Sequence, residues 1–227
     1  MGEFVKKVLV ISPHPDDEVL GCGGTLLKLK KKYNYELNWL IITKISKKYW
    51  SNKKVLSRKK EISDIKRKIG FQNLIELKFE SGSLNNNNLS KLIKKLGTGV
   101  KKIKPEIVFV PYINDCHSDH FFTTYAFNSI SKTFRYSFLE KILVYETLSE
   151  TNFNRFNKNK FTPNVFVDIT HFINEKIKLM KTYNNELGKH PFPRSEKSIK
   201  SLSILRGSQS NFKFAESFEL IFDKQNI

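Results

Sequence analysis

Val8-Leu9-Val10-Ile11-Ser12-Pro13-His14-Pro15-Asp16-Asp17-Glu18 is the stretch on which the reading of this 227-residue chain turns. Its first four residues are a continuous apolar run, as expected of a strand covered on both faces. From Glu18 to Lys32 the apolar side chains fall at Leu20, Leu26 and Leu27, with lysines elsewhere, which predicts a helix. The acidic cluster therefore stands at the carboxyl end of a strand, where open α/β sheets place their ligand sites. Three carboxylates and an imidazole packed this closely are unfavourable unless a cation binds them or a proton is shared. Core packing has no need of such a cluster. It predicts a metal site.

A second cluster has the same setting. Ile107-Val108-Phe109-Val110-Pro111 is another apolar run, and Asn114-Asp115-Cys116-His117-Ser118-Asp119-His120 follows directly. His117 and His120 are three apart and face roughly the same side of a helical turn. The chain has five histidines, and three of them fall in these two clusters. An Asp-Asp pair ahead of a helix is by itself an ordinary N-terminal cap. Two clusters of complementary ligand type, each at a strand end, argue for more. His14, one Asp of the pair and one later histidine would give three protein ligands and leave a fourth position for water, the pattern of catalytic zinc.

Strands are predicted at 7–12, 37–43, 74–79, 107–111, 142–146, 165–169 and 217–222. Helices are predicted at 18–32, 55–69, 88–103, 120–134, 171–186 and 195–206. This alternation implies an α/β fold, Rossmann-like, with a mainly parallel sheet and helices on both faces. No linker or internal repeat divides residues 1–227, so a single domain is expected. Gly21, Gly23 and Gly24 follow the carboxylates and fall within the helix, a poor fit to a dinucleotide-binding turn; they predict close packing of that helix on the sheet.

The net charge of +18 invites a nucleic-acid reading. Yet 34 of the 40 basic residues are lysines spread through every segment, and six are arginines, the residue suited to bidentate phosphate and base contacts. No nucleic-acid partner is therefore expected. Lysines on solvent faces of helices are one reading of the charge; the alternative is a field that attracts an anionic substrate, such as a phosphate- or nucleotide-linked sugar, or an anionic membrane surface. No apolar stretch is long enough to span a bilayer, and no signal-peptide hydrophobic region precedes the first strand. Cys22 and Cys116 make no disulfide framework, so a reduced, cytoplasmic setting is expected. Cys116 reads as a small buried packing residue, and His171 as structural.

The two clusters resemble the motifs of the PIG-L/LmbE superfamily of zinc-dependent N-deacetylases: His-Pro-Asp-Asp at 14–17 and His-x-Asp-His at 117–120. Gly207-Ser208, the segment 214–220 and the stretch 190–195 resemble further parts of that family in the same order. The resemblance implies one zinc ion per chain on His14, Asp17 and His120, with iron or cobalt able to substitute. It implies Asp16 as general base, His117 as the group polarising the carbonyl, and Asp119 as the carboxylate that orients His117. Arg58, His190 and Arg194 are its candidate substrate contacts. Where mycothiol-type members carry a tyrosine, this chain has Asp115, so no acid role is carried over to that position.

The expected activity is removal of an N-acetyl group from an acetamido sugar or sugar conjugate, GlcNAc-type or nucleotide-linked. The alternatives are an amidase on another conjugated amine, or a basic metal-stabilised protein that binds nucleic acid or anionic lipid without turnover. A binding protein has no use for Asp16, a second carboxylate beside a metal ligand. The sequence leaves a homo-oligomer open.

Overall fold

The computed structural model describes residues 5–156 and 158–225. Strand β1 (Lys7–Ser12) runs into helix α1 (Asp17–Tyr33), followed by β2 (Glu36–Lys44), α2 (Asn52–Ile69), β3 (Asn73–Glu80) and α3 (Asn86–Ile103). Then come β4 (Ile107–Pro111), α4 (Ser118–Ile130), β5 (Lys141–Tyr145), β6 (Val165–Asp168), α5 (Ile173–Met180), α6 (Glu196–Ser208) and β7 (Ala215–Asp223). The seven strands form one sheet in the order β3-β2-β1-β4-β5-β7-β6, in which β7 runs opposite to the other six. The expected mainly parallel α/β sheet is what forms.

Alternation along the strands builds two cores. Val8 and Val10 point into one with residues of α1, α2, α5 and α6; Leu9 and Ile11 point into the other with α3 and α4. Helices therefore cover both faces, which is why β1 reads as an unbroken apolar run. From β1 the chain steps outward to β2 and β3, then returns to β4 and β5 on the other side. The carboxyl ends of β1 and β4 thus flank the point where strand order reverses, and both acidic-imidazole clusters open there. Among the described residues no helix is long and apolar enough to cross a membrane.

Helix α1 lies unusually close to the sheet. A Cβ on Gly21 would stand 2.2 Å from the Tyr145 ring, and one on Gly24 would stand 2.8 Å from Ile169. The helix breaks at Cys22 (φ −142°, ψ 18°), which exposes backbone groups in its middle. A buried ion pair satisfies them from both sides. The Glu216 carboxylate accepts from the amides of Gly24 (2.9 Å) and Thr25 (2.7 Å), while Lys176 Nζ donates to the Leu20 carbonyl (2.8 Å) and pairs with Glu216 (2.6 Å).

Two helices end earlier than expected. Helix α4 stops at Ile130 instead of continuing to 134, and a turn over 132–136 brings Tyr136 into the core. Helix α5 spans Ile173–Met180 instead of 171–186. Beyond it the bonds tighten to three-residue turns, Thr182 to Leu179 and Tyr183 to Met180, and the Tyr183 ring becomes fully buried. Both cysteines are free, as expected, but Cys116 is exposed, not buried: its thiol donates to Glu150 at 3.1 Å.

Lys176→Met leaves the Glu216 carboxylate buried without its cation. It should lower unfolding stability by about 3–5 kcal/mol in urea titrations. Lys176→Met with Glu216→Gln should recover part of that loss, and equal losses in the single and double variants would refute the pairing.

Candidate active site

The turn between β1 and α1 separates two adjacent carboxylates. Asp16 has a backbone φ of 130°, strained for a residue with a side chain. Three contacts hold it: its N–H donates to Glu18 Oε2 (3.1 Å), its carbonyl accepts from Val19 (3.0 Å) and Leu20 (2.9 Å), and Arg58 Nη1 donates to the preceding Pro15 carbonyl (2.6 Å). Glu18 is itself buried and accepts from the Tyr183 hydroxyl at 2.6 Å. Burial pushes its carboxyl up to about 8, against the pull of the Tyr183 bond. The result is that Asp16 faces Arg194 (2.9 Å), while Asp17 faces the imidazoles.

Asp17 Oδ2 lies 3.3 Å from His120 Nε2 and 3.5 Å from His14 Nδ1, and also accepts from the His14 N–H at 2.8 Å. Behind each imidazole stands another carboxylate. His14 Nε2 is 2.9 Å from Asp119 Oδ2, and His120 Nδ1 is 2.7 Å from Asp115 Oδ2. Asp119 is in turn fixed by the backbone amides of Gly82 (2.7 Å) and Leu84 (3.1 Å), and Asp115 by the Thr151 hydroxyl (2.5 Å). A proton on each outer nitrogen leaves the inner nitrogens of both rings aimed at Asp17.

That arrangement fits a divalent cation. His14, Asp17 and His120 each present one ligand atom within a 4.8 Å span, and His120 Nε2 is a buried polar atom with no hydrogen-bond partner. Burial opposes charge on the rings, yet the carboxylates overcome it: His14 rises to about 9, and His120 rises well above its ordinary value. Burial would likewise raise Asp17, but the imidazoles of His120 and His14 hold it well below the usual carboxylate range. A metal ion bound there would release these protons. Two nitrogens and one carboxylate oxygen suit zinc.

His117 plays a different part. Its Nδ1 accepts from the Asp119 amide (3.0 Å), so its proton sits on Nε2, and burial followed by the nearby His14 charge keeps the ring below its ordinary pKa. A neutral ring with one free donor lines the cavity. His14, His117 and Asp119 also cluster within ligand range, but His14 and Asp119 bond to each other and His117 Nδ1 is already used. The Asp119 carboxylate, expected on His117, lies on His14; only its backbone touches His117.

Around this centre is a cavity of about 260 Å³ with His14, Asp16, Asp17 and His117 on its floor. Thr43, Ser81 and Asn185 add polar groups, and Trp50 forms an aromatic wall with Lys54 Nζ 3.7 Å above its ring. Arg58 and Arg194 both line it. Arg58 is buried, with its donors on Glu61, Pro15 and Glu186, which makes it a brace more than a substrate contact. Arg194 pairs with both Asp16 and Glu186. Burial, then the charges of Asp17 and Glu186, hold Asp16 above the usual carboxylate range, while Arg194 and Arg58 pull it back. His190 is exposed and does not line the cavity; its loop sends in Arg194 instead.

Glu18 and Asp115 stand in the two clusters but have no role in the sequence reading, and Tyr183 and Glu186 do not figure in it. Glu18 carried a signal, as the fifth residue of the first cluster, and Asp115 stood two residues before His117. Tyr183 and Glu186 carried none, because their partners lie far away in the chain.

The chain is similar to known proteins in both sequence and fold. The family description "PIG-L: GlcNAc-PI de-N-acetylase" matches residues 9–131, more than half of the chain. The chain is 25% identical over 230 residues to a diacetylchitobiose deacetylase of Thermococcus kodakarensis, covering 96% of this chain and 84% of that protein. It is 28% identical over 124 residues to a probable N-acetyl-alpha-D-glucosaminyl L-malate deacetylase 2 of Bacillus cereus, over 51% of this chain and 56% of that protein. In structure it resembles the N,N'-diacetylchitobiose deacetylase of Pyrococcus horikoshii, with a TM-score of 0.76 at 21% identity, covering 96% of this chain and 85% of that one.

Carboxylates behind metal-ligating histidines raise ligand basicity and fix ring orientation. Asp115→Asn and Asp119→Asn should each weaken zinc affinity about 10–100-fold in chelator competition, with the fold intact by circular dichroism. Unchanged affinity in both variants would show that the carboxylates do not support metal ligands.

Proposed function

The chain belongs to the PIG-L family of GlcNAc-PI de-N-acetylases, and from that premise we propose that it hydrolyses the acetamide of an N-acetylated sugar, releasing acetate and the free amine. The observation that supports this most directly is the division of labour between Asp16 and Asp17. One carboxylate belongs to the cation-binding set, and its neighbour is turned into the cavity with a raised pKa. The proteins similar to this chain, deacetylases of diacetylchitobiose and N-acetylglucosaminyl malate, favour an acetamido sugar as the substrate class.

His14, Asp17 and His120 would hold the metal, zinc by donor chemistry. A divalent ion there supplies Lewis-acid polarisation of the amide carbonyl and makes water a nucleophile near neutral pH, where its pKa falls to about 7. Asp16 takes the proton from the attacking water; a carboxylate held above its ordinary range is better matched to that task. His117, neutral and with its proton on Nε2, donates to the carbonyl oxygen as negative charge develops. Asp16, now protonated, returns the proton to the departing amine and is restored as a carboxylate. Arg194 steadies that carboxylate, and Glu186 fixes Arg194 by binding it together with Arg58.

Acetate release from a panel of acetamido sugars and their conjugates by purified, zinc-loaded protein tests the activity. Asp16→Asn should retain zinc and lose about 10²–10⁴-fold in rate. His117→Ala should retain zinc and lose about 10²–10³-fold in kcat with a much smaller change in KM. Loss of zinc from Asp16→Asn, or full activity in that variant, would overturn the assignment.

The acid limb of the pH profile gives a second check. Arg194 favours the ionised form of Asp16, so Arg194→Gln raises the Asp16 pKa. The general base must be ionised, and kcat/KM should therefore fall off at a higher pH in the variant than in the wild type. A shift towards lower pH would place the controlling group elsewhere.

A further inference from the structure

Trp39 and Trp50 are the two tryptophans of the chain, and they are placed in opposite ways. Trp39 is fully buried, donates its Nε1–H to Ser12 (2.9 Å) and stacks on Phe71. Trp50 stays 42% exposed and lines the catalytic cavity. It lies in the loop between β2 and α2, where the amides of Tyr49 (3.2 Å) and Trp50 (3.0 Å) both donate to the Ser46 carbonyl. Ser51 then caps α2, its hydroxyl accepting from the Lys54 amide at 3.2 Å. The Lys54 side chain returns over the indole, with Nζ 3.7 Å from the ring centroid. A cation in the first turn of a helix opposes the helix dipole, and that turn of α2 holds no acid. The indole face supplies the compensating attraction. The tight turn, the cap and the ammonium together hold the indole plane in place.

An indole braced in this way gives a largely polar cavity one flat apolar wall. The two faces of a gluco-configured pyranose are made of axial C–H groups, while its hydroxyls and acetamide are equatorial and radiate from the ring edge. Those C–H groups are slightly positive and an aromatic face is negative, so the two surfaces attract when they lie flat together. At about 260 Å³ the cavity is below the roughly 300–1,000 Å³ of drug-sized sites, which suits one sugar ring. We propose that Trp50 is the platform for that ring: Lys54 holds one indole face, and the pyranose lies on the other with its acetamide directed edge-on at Asp16 and His117. Thr43, Ser81 and Asn185, in the same cavity, suit the hydroxyls at the ring edge. The inference rests on the deacetylase reading and assigns the residue that binds the ring without touching the amide. Stacking of that kind is equally strong before and during the reaction, so it acts on KM and not on kcat.

The test uses the full zinc-loaded chain, Trp50→Ala, Trp50→Phe and a control, Tyr49→Ala. Tyr49 is the exposed aromatic next to Trp50 in the same loop, and it does not line the cavity. Probes are N-acetylglucosamine and N,N'-diacetylchitobiose, with acetate release as the readout. Trp50→Ala should raise KM about tenfold or more and leave kcat within about threefold of the wild type. Trp50→Phe keeps an aromatic face and should recover most of that loss. Tyr49→Ala should match the wild type, because it disturbs the loop to the same degree without removing the platform.

An unchanged KM in Trp50→Ala, or an equal rise in Tyr49→Ala, overturns the proposal. Tryptophan emission runs alongside and needs no turnover, since Trp39 is shielded in the core and Trp50 is the one in the cavity. In zinc-loaded Asp16→Asn, N-acetylglucosamine should give a saturable change in emission that disappears when Trp50→Phe is added. If neither probe releases acetate from the wild type, the deacetylase reading fails on these sugars and emission decides the platform by itself. A change that requires Trp50 would then uphold it. No change, or the same change in the Trp50→Phe protein, would overturn it.

Discussion

Asp17 carries its charge out of water between two imidazoles, and each imidazole is braced from behind by another buried carboxylate. The alternating array Asp119–His14–Asp17–His120–Asp115 joins the loop after β1 to the loop after β4. Removing one member of such an array strands the others, because an unpaired buried charge is far more costly than a missing one. The fold supplies this array with its geometry. Parallel strands side by side release their loops at the same end of the sheet, and the reversal of strand order between β1 and β4 leaves room between them.

The neighbouring carboxylate depends on a different set of constraints. Asp16 reaches the cavity only because its backbone is held at positive φ, and Glu18, Tyr183 and Arg58 provide that hold. The helix carrying Asp17 is braced too, by the Lys176–Glu216 pair at its break. His14, Asp17 and His120 come from residues within 9–131, the part matched by the family, whereas Tyr183, Glu186, Arg194, Lys176 and Glu216 all lie beyond it. The first part of the chain brings in the cation-binding groups, and the second fixes how the adjacent acid is aimed.

Much of this was legible in the sequence for definite reasons. Buried parallel strands announce themselves as short apolar runs, so β1 and β4 were evident, and so was the position of both clusters at their ends. The helix boundaries that failed, at Ile130 and Met180, are places where a turn carries a tyrosine into the core; propensity does not register such a long-range demand. The same limit applies to the site. His14, Asp16, Asp17, His117 and His120 sit in two local motifs, but the partner of Asp119 is 105 residues away and that of Glu18 is 165 away. Arg58 was a candidate substrate contact because Arg58 and Glu61 resemble an Arg-x-x-Glu pair of the family. Only the folded chain reveals that its donors turn inward.

The strand order at the far edge of the sheet bears on how the chain is made. Strand β6 leaves the ribosome about fifty residues before β7, yet among the described residues β7 is its only strand partner and sits between it and β5. Until β7 is synthesised, β5 presents an open row of backbone donors and acceptors, the kind of edge that recruits other strands. The nascent protein must therefore pass through a stage in which both acidic-imidazole clusters have been made while its sheet is still unfinished. Translation that stalls before residue 215 would leave that edge open and the chain prone to aggregate.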